Sequence, residues 1–593
     1  MKPLKIGIIC LLSTAIAQAD ITQDANHLID QIDPHLNIGV EIKDLTTHQY
    51  LYKRHAQNSF IPASNMKLFS TAAALLALGP DYHFTNKLTT DATNWDKHEL
   101  KGHLYVHLSG DPSFSSARLA AMINSLKQQS IQSIQGDVVL VSRYQNISPY
   151  APGGMTEDLP FGYGAPIAPL VLDHNRFMLT VNPNDTAGKP AILETSHQTQ
   201  QHMLINKVIT KKDAKNCHIH FTIDATQALV LNGCIGLTEH ALVQELAVRT
   251  PLLYTQKVLK HLLQEAGIAL KGHIILGQAP HQTLLLSQDK SPSIAQLIAK
   301  TLKHSDNLYA DSLFLHTADK LSGRPLNWEK AQQVIKPFLH VQTGIDLNSA
   351  IFSDGSGLSR YDLLTPDQTV QLLTFLYQRF PIAYEYIAAL PVSGRDGTLQ
   401  KRLKKPTQLG LIRAKTGTMK GITSLSGYLF TANAHIVAFA IYMNNTPQTK
   451  PAVSGRYRYL ADALCAKILQ VSKTPHGVSK PLLSFQASST GQKVQKKAMK
   501  WRALEKALRV ALKTQAVSIL FRADELVLQD RQHDKQQVLN VLTKLAETYP
   551  FAIAVTTDKP QRINGQSAVV WAKTTKISQP IQRLWYLKPQ ASI

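Results

Sequence analysis

The stretch FIPASNMKLFSTAAALLALGP, residues 60–80, decides how the rest of the chain is read. Pro62 stands near its start and Gly79-Pro80 at its end, the punctuation of a helix. Between them Met66, Leu68, Phe69, Ala72, Ala73, Leu75 and Leu76 leave little polar surface, so the helix is expected at the centre of a core. At its start Ser64 and Lys67 stand three residues apart and share a face. A serine hydroxyl is a poor nucleophile without a base, and an amine is a base only when burial or a neighbouring cation removes its proton. The positive end of a helix also favours an anionic serine oxygen. Alone, the pattern is equally the start of an ordinary amphipathic helix.

Two further segments carry complementary chemistry. Ser305-Asp306-Asn307 follows the apolar run Ile294 to Leu302. Its serine can relay a proton and its Asn307 amide can bind a substrate carbonyl, although these residue types also cap helices. Lys415-Thr416-Gly417-Thr418 ends the strand-like run Leu411 to Ala414. Gly417 leaves room for a substrate strand, Lys415 and Thr416 can hold a carboxylate, and the Thr418 amide can donate to an oxyanion. A plain strand-end turn is the alternative.

Ser64 and Ser305 are 241 positions apart, more than a connection within one compact domain uses, whereas Ser305 to Lys415 takes 110. A large insertion therefore separates the first two segments. Residues 82–285 break into short strand-like runs such as Leu104–Leu108, Val138–Val141 and Phe177–Val181, and are expected to form one or two strand-rich domains. Around them, Asn37–Ile42 with Gln49–Tyr52 read as a strand pair. Ser293–Ala318 reads as helical, and Leu411–Lys415, Ser424–Thr431 and His435–Met443 read as three strands before a closing helix over Tyr457–Leu469. Helices gathered on an antiparallel sheet make an α/β layer domain, here discontinuous over 20–81 and 286–475.

The three segments in this order match the Ser-x-x-Lys, Ser-Asp-Asn and Lys-Thr-Gly signature of penicillin-binding proteins and β-lactamases. With the large insert, the arrangement resembles the class C low-molecular-mass penicillin-binding proteins, the D-alanyl-D-alanine carboxypeptidase/endopeptidase family. Leu108–Pro112, Asp158–Pro166, Asp173–Asn175, Asp354–Arg360 and Leu390–Leu399 are similar to the same family, so the resemblance covers roughly residues 25–470. It implies a transpeptidase-like fold and a two-step acyl transfer on peptidoglycan peptides ending in, or cross-linked through, D-alanine. In that scheme Ser64 attacks, Lys67 is the base, and Ser305 and Lys67 return the proton. The amides of Ser64 and Thr418 hold the oxyanion, Asn307 binds substrate, and Lys415 and Thr416 grip the terminal carboxylate. β-Lactams should acylate the same serine, and no metal or organic cofactor is required. The glycine-rich stretches Asp354–Arg360 and Ser393–Leu399 are expected to shape loops, without catalytic steps. A β-lactamase or esterase on the same fold, or a non-catalytic wall-binding scaffold, are the competing readings.

The ends add context. Lys2 and Lys5, the apolar run Ile6 to Ala17 and Ala17-Gln18-Ala19 have the shape of a cleavable signal peptide over residues 1–19, too short to span a bilayer, which implies export to the periplasm. Cys217 and Cys234 flank two strand-like runs and suit a disulfide staple, with two free thiols the alternative; Cys465 is expected buried and inert. The net charge is +22, and the last 123 residues hold 20 Lys or Arg against 7 Asp or Glu. Such a balance suits anionic surroundings, and export argues against nucleic acid. Residues 476–593 read as a small α+β extension, with helix candidates at Lys496–Lys513 and Lys535–Thr548 and strands at Ser518–Phe521, Phe551–Val555 and near Trp585. Val555-Thr556-Thr557-Asp558 faintly resembles an OmpA-like wall-binding domain but lacks that family's downstream arginine, Ala572-Lys573 standing in the region. A basic module contacting wall polymer or anionic lipid is the broader expectation.

Overall fold

The computed structural model describes residues 21–471, apart from 94, 97, 197–203, 214, 380–381 and 447–450. Beyond them it describes only the strands Ile519–Arg522, Ile553–Thr556, Arg562–Ile563 and Gln566–Ser567. The signal-peptide reading, both helix candidates of the extension and its last strand fall outside the described residues.

A five-stranded antiparallel sheet organises the first unit. Its strands are β1 (Asn37–Asp44), β2 (Tyr50–Arg54), β3 (Ile412–Met419), β4 (Ile422–Phe430) and β5 (Ile436–Asn444), in the order β3-β4-β5-β1-β2. Side chains alternate between the faces of a strand. Val437, Phe439, Ile441 and Met443 of β5 therefore enter one apolar cluster with Ile29, Leu464 and Ile468. Ala438, Ala440 and Tyr442 enter another on the opposite face. The first cluster is roofed by a helix over residues 21–32 and by α7 (Pro451–Val471). The second is filled by α1 (Met66–Leu78), α2 (Ile294–His304), α3 (Asn307–Ser322), α4 (Trp328–Thr343), α5 (Pro366–Gln378) and α6 (Ile382–Ala389).

Every residue of α1 from Met66 to Leu75 is buried, because the helix is enclosed by its neighbours on all sides. Phe69 meets Phe352 edge to face at 5.6 Å, a packing whose loss on truncation to alanine costs roughly 3–5 kcal/mol. The helical stretch after Ser293 is interrupted once. Ser305 takes a left-handed φ of 58° and closes α2, and Asp306 then caps α3 by accepting from the Tyr309 amide at 3.1 Å.

One strand differs from its sequence reading. The Lys415 segment does not end a strand: β3 continues to Met419, with Lys415 opposite Ser426 and Gly417 opposite Ser424. Gly417 is a ladder residue, and Ser424 and the Pro62–Ala63 turn lie close against it. β3 is also a sheet edge, and the segment 391–393 covers only its first part, through Ser393 N to Ile412 O at 2.9 Å and Ala414 N to Pro391 O at 3.0 Å.

Between α1 and α2 runs the insert. A mixed sheet orders Ile274–Gly277, Val138–Ser142, Leu104–Leu108, Thr85–Thr90 and Leu284–Lys290, and two three-stranded sheets follow it. Two helices, Ser116–Gln128 and Pro251–Ala266, which the sequence reading passed over, bury Leu119, Met122, Ile123, Val258 and Leu259 in its own apolar cluster. Cys217 and Cys234 are joined in a disulfide, with Cα atoms 4.9 Å apart, at the end of the antiparallel pair Ile219–Ile223 and Leu229–Gly236. Cys465 is free and buried. Among the described residues no helix is long and apolar enough to cross a membrane.

Residues 477–593 form a second compact unit. Its described strands Ile519–Arg522 and Ile553–Thr556 pair in parallel.

Candidate active site

Ser64 sits in a single 3-10 turn, Ala63–Asn65, leading into α1. The turn is strained: Ala63 has φ of 48°, a left-handed conformation costing an L-residue roughly 1–2 kcal/mol. Its surroundings impose it. Asn65 Nδ2 donates to Ser424 Oγ of β4, which in turn donates to Pro62 O at 2.8 Å, and Phe60 N donates to Leu364 O at 2.9 Å. A β-carbon on Gly417 would lie 2.1 Å from Ser424 Oγ and 3.0 Å from Pro62 O, so only glycine lets β3 pass this close to the serine turn.

One helical turn on, Lys67 is completely buried. Its ammonium donates to Ser64 Oγ at 3.0 Å, to Asn307 Oδ1 at 2.6 Å and to Ser356 O at 2.6 Å. Burial brings its pKa down to about 8, although Asp311, Asp354, Asp306 and Asp362 pull the other way. Lys415, equally buried, donates to Ser305 Oγ at 2.8 Å and to Thr416 O at 2.6 Å. Burial first, and the charge of Lys67 second, hold it well below the usual lysine range. Thr416 Oγ1 donates to Thr398 Oγ1 at 2.8 Å. Thr418 lies opposite Thr423 near the end of β3, with its side chain exposed.

Three segments that start 241 and 110 residues apart thus meet around one point. Two chains of contact result: Ser64 to Lys67 to Asn307, and Ser305 to Lys415. Each pairs a hydroxyl with an amine whose proton is loosened by burial, the arrangement that lets a hydroxyl attack and a second hydroxyl relay a proton.

Other residues at the site escaped the sequence reading. The stretch Asp354–Arg360 is expected from sequence only to shape a loop, yet Ser356 O is a direct partner of Lys67. Asp354 holds that loop by accepting from Ser356 N at 2.9 Å, Ser356 Oγ at 3.0 Å, Gly357 N at 2.5 Å and Ser359 N at 2.8 Å. Asp362 Oδ1 accepts from Ser353 N at 2.7 Å, and Asp311 Oδ1 from Gly355 N at 2.9 Å. Burial, then the charge of Asp354, push both of these carboxyls well above the usual range. The signal was present in the segment Asp354–Arg360, but a carbonyl contact leaves no side-chain signature. Thr398 lies likewise in a stretch read as a loop.

The model of the D-Ala-D-Ala carboxypeptidase 3 (S13) family matches residues 22–464. The D-alanyl-D-alanine carboxypeptidase DacB of Haemophilus influenzae is 27% identical over 411 residues, covering 69% of this chain and 85% of that one. The D-alanyl-D-alanine carboxypeptidase of an Actinomadura species is 28% identical over 423 residues, 68% of this chain and 77% of its own. Among solved structures, penicillin binding protein 4 of Haemophilus influenzae matches with a TM-score of 0.69 at 26% identity, over 75% of this chain and 99% of that one. The same protein complexed with a β-lactam matches with a TM-score of 0.64.

Proposed function

Because the chain belongs to the D-Ala-D-Ala carboxypeptidase 3 (S13) family and is a serine-type D-Ala-D-Ala carboxypeptidase, we propose the following division of labour among its residues. Ser64 is the nucleophile. Lys67, neutral once its loosened proton is lost, takes the hydroxyl proton as Ser64 Oγ bonds to the carbonyl carbon of the penultimate D-alanine. The amides of Ser64 and Thr418 receive the developing oxyanion, where preorganised donors do the most for an acyl transfer. The carbon–nitrogen bond then breaks, and the leaving amine collects a proton passed through Ser305, which Lys415 holds in place. Water then adds to the acyl carbon as Lys67 takes one of its protons, and the bond from that carbon to Ser64 Oγ breaks as Lys67 returns the proton to Oγ, freeing the shortened peptide and the resting serine.

Asn307 has two tasks in this scheme: its oxygen holds Lys67, and of its two Nδ2 hydrogens one goes to Tyr163 O and the other faces the peptide. Lys415 and Thr416 receive the terminal carboxylate, which recharges Lys415 as it arrives. A β-lactam presents a similar carboxylate and a strained amide, so it acylates Ser64 by the same first step. Penicillin-binding character is supported by the match to penicillin binding protein 4, solved with a β-lactam bound.

The observation that carries the assignment is the double contact of Lys67 with Ser64 Oγ and Asn307 Oδ1, at 3.0 and 2.6 Å. It is tested by incubating the chain with benzylpenicillin and weighing it: one adduct is expected on the native chain and none on Ser64→Ala, which should also release no D-alanine. An adduct on Ser64→Ala would refute it. Cleavage of D-alanyl cross-links is the companion activity, read from cross-linked muropeptides by mass spectrometry. We infer a periplasmic setting from the character of residues 1–19 and from the Cys217–Cys234 disulfide, which suits an oxidising compartment. A basic wall or lipid contact by residues 476–593 rests on their charge alone.

A further inference from the structure

The insert offers no catalytic signature in sequence, yet two of its residues reach the Ser305-Asp306-Asn307 segment and a third reaches Tyr309 just beyond it. Arg176 Nη2 donates to Asp306 Oδ1 at 2.8 Å. Tyr163 O accepts from Asn307 Nδ2 at 2.8 Å. His174 Nε2 and Tyr309 OH are hydrogen-bonded at 3.2 Å. We propose that the insert is part of the catalytic apparatus, with Arg176 a positioning residue that, together with the Tyr163 carbonyl, fixes Asn307 and through it Lys67.

An asparagine amide has an accepting end and a donating end, and a flip exchanges them. Lys67 needs the accepting end. A carbonyl on the other side, at Tyr163, can be satisfied only by the donating end, so it selects the productive orientation. Asp306 sets where α3 begins, since one of its oxygens receives both the Tyr309 amide and Arg176. Its side chain is 8% exposed and that of Arg176 12%. Burial alone would raise the Asp306 carboxyl, but the charge and hydrogen bond of Arg176, with the Tyr309 amide and His174, together hold the group below its ordinary value. Without the guanidinium, a buried carboxylate would lose its counter-charge next to Asn307, a situation proteins relieve by moving the group or protonating it.

The insert holds this fork firmly. Asp173, His174 and Asn175 are consecutive left-handed residues, φ 50°, 56° and 49°, of the types that tolerate that region best. Asp173 accepts from Ser116 N at 2.8 Å and from Tyr254 OH at 2.7 Å, which ties the turn to both insert helices. Asn175 Nδ2 donates to Pro166 O at 2.8 Å and Leu170 O at 2.9 Å. Arg176 follows directly, as the first residue of the strand Arg176–Asn182. Its second carboxylate neighbour, Glu245, is 3.6 Å away and half exposed.

The proposal rests on the acyl-transfer reading, and one experiment separates the two. The rate constant for benzylpenicillin acylation is measured by mass on the full chain, on Arg176→Ala, Arg176→Lys and Glu245→Gln, beside their thermal midpoints. Failure of the native chain to acylate would sink the reading itself. If it acylates, Arg176→Ala should be about 10- to 100-fold slower, the scale of a displacement near 1 Å at a reacting centre. Arg176→Lys should lie between, Glu245→Gln should match the native rate, and added guanidinium ion should restore part of the Arg176→Ala rate. A native rate in Arg176→Ala overturns the proposal. So does a slow variant whose midpoint falls and which guanidinium does not restore, because that is a fold defect. Should Arg176→Ala fail to fold, Arg176→Lys decides: slower at an unchanged midpoint supports the clamp, and an unchanged rate refutes it.

Discussion

Replacing Gly417 with alanine adds one carbon where β3 passes the nucleophile turn. That carbon would sit 2.1 Å from Ser424 Oγ, 3.0 Å from Pro62 O and 3.1 Å from Ala63 Cβ. An ordinary carbon–oxygen approach is about 3.3 Å, so the strand or the serine must give way by roughly 1.2 Å. Rotating Ser424 aside breaks its bonds to Pro62 O and Asn65 Nδ2, each worth about 0.5–1.5 kcal/mol. Moving β3 instead carries Lys415 away from Ser305, now 2.8 Å apart. Either route should cost roughly 1–3 kcal/mol of stability, the usual range for overpacking, and slow acylation about 100-fold through misplacement of the reacting groups. Stopped-flow acylation with a chromogenic cephalosporin and thermal unfolding by circular dichroism read the two effects separately. Gly455 of α7 is the control, since a β-carbon there meets nothing within 4 Å. Gly455→Ala should leave the rate alone and raise stability by up to about 1 kcal/mol. A Gly417→Ala enzyme with native rate and native midpoint would show that the close approach of β3 to the serine turn does not matter.

The remaining expectations concern the buried charges. Acylation should rise with pH and level off above about 8, because a protonated Lys67 cannot accept the Ser64 proton and its neutral fraction falls tenfold for each unit below its pKa; a flat rate between pH 6 and 9 would remove lysine from the role. Asp354→Asn, by replacing an acceptor of four donors with an amide, should lower the midpoint by the equivalent of roughly 1–3 kcal/mol and slow acylation, since Ser356 O loses its aim at Lys67. Asp362→Asn should be milder, within about 1 kcal/mol, because burial and the charge of Asp354 already push that carboxyl well above the usual range, so less of its charge is lost with the substitution; equal damage from the two substitutions would contradict this division.

Residue types with strong local consequences were legible in the sequence. The run Met66 to Leu76 announces a central helix, because so apolar a helix has nowhere to go but inside. Antiparallel strands around 424–431 and 435–443 show through their hydrophobic density, and the α/β layer follows from their placement beside helical segments. What was hidden shares a physical cause. Tyr163 and Ser356 act at the site through backbone carbonyls, which every residue owns and no pattern marks. Arg176 reaches Asp306 across 130 positions of chain, beyond the span of any periodicity. Gly417 was legible as a place of close approach for a substrate strand, whereas the approach that requires glycine there is that of Ser424 and Pro62, in mid-ladder. The insert helices escaped because short strand-like runs and Gly, Pro, Asn and Asp breaks dominate the flanking stretches, and two amphipathic segments of 13 and 16 residues drown in them.

The partial covering of β3 sets a length scale for what can bind. Segment 391–393 pairs with the outer rim of the sheet as far as Ala414, and among the described residues no further backbone segment pairs with that rim from Lys415 to Met419. Five residues of extended backbone span about 16 Å, room for a short peptide to join as a sixth strand and too little for a long flat strand of another protein to zip on. The shortness of that unpaired stretch discourages edge-to-edge aggregation, and removing segment 391–393 should lengthen it and make the chain stickier.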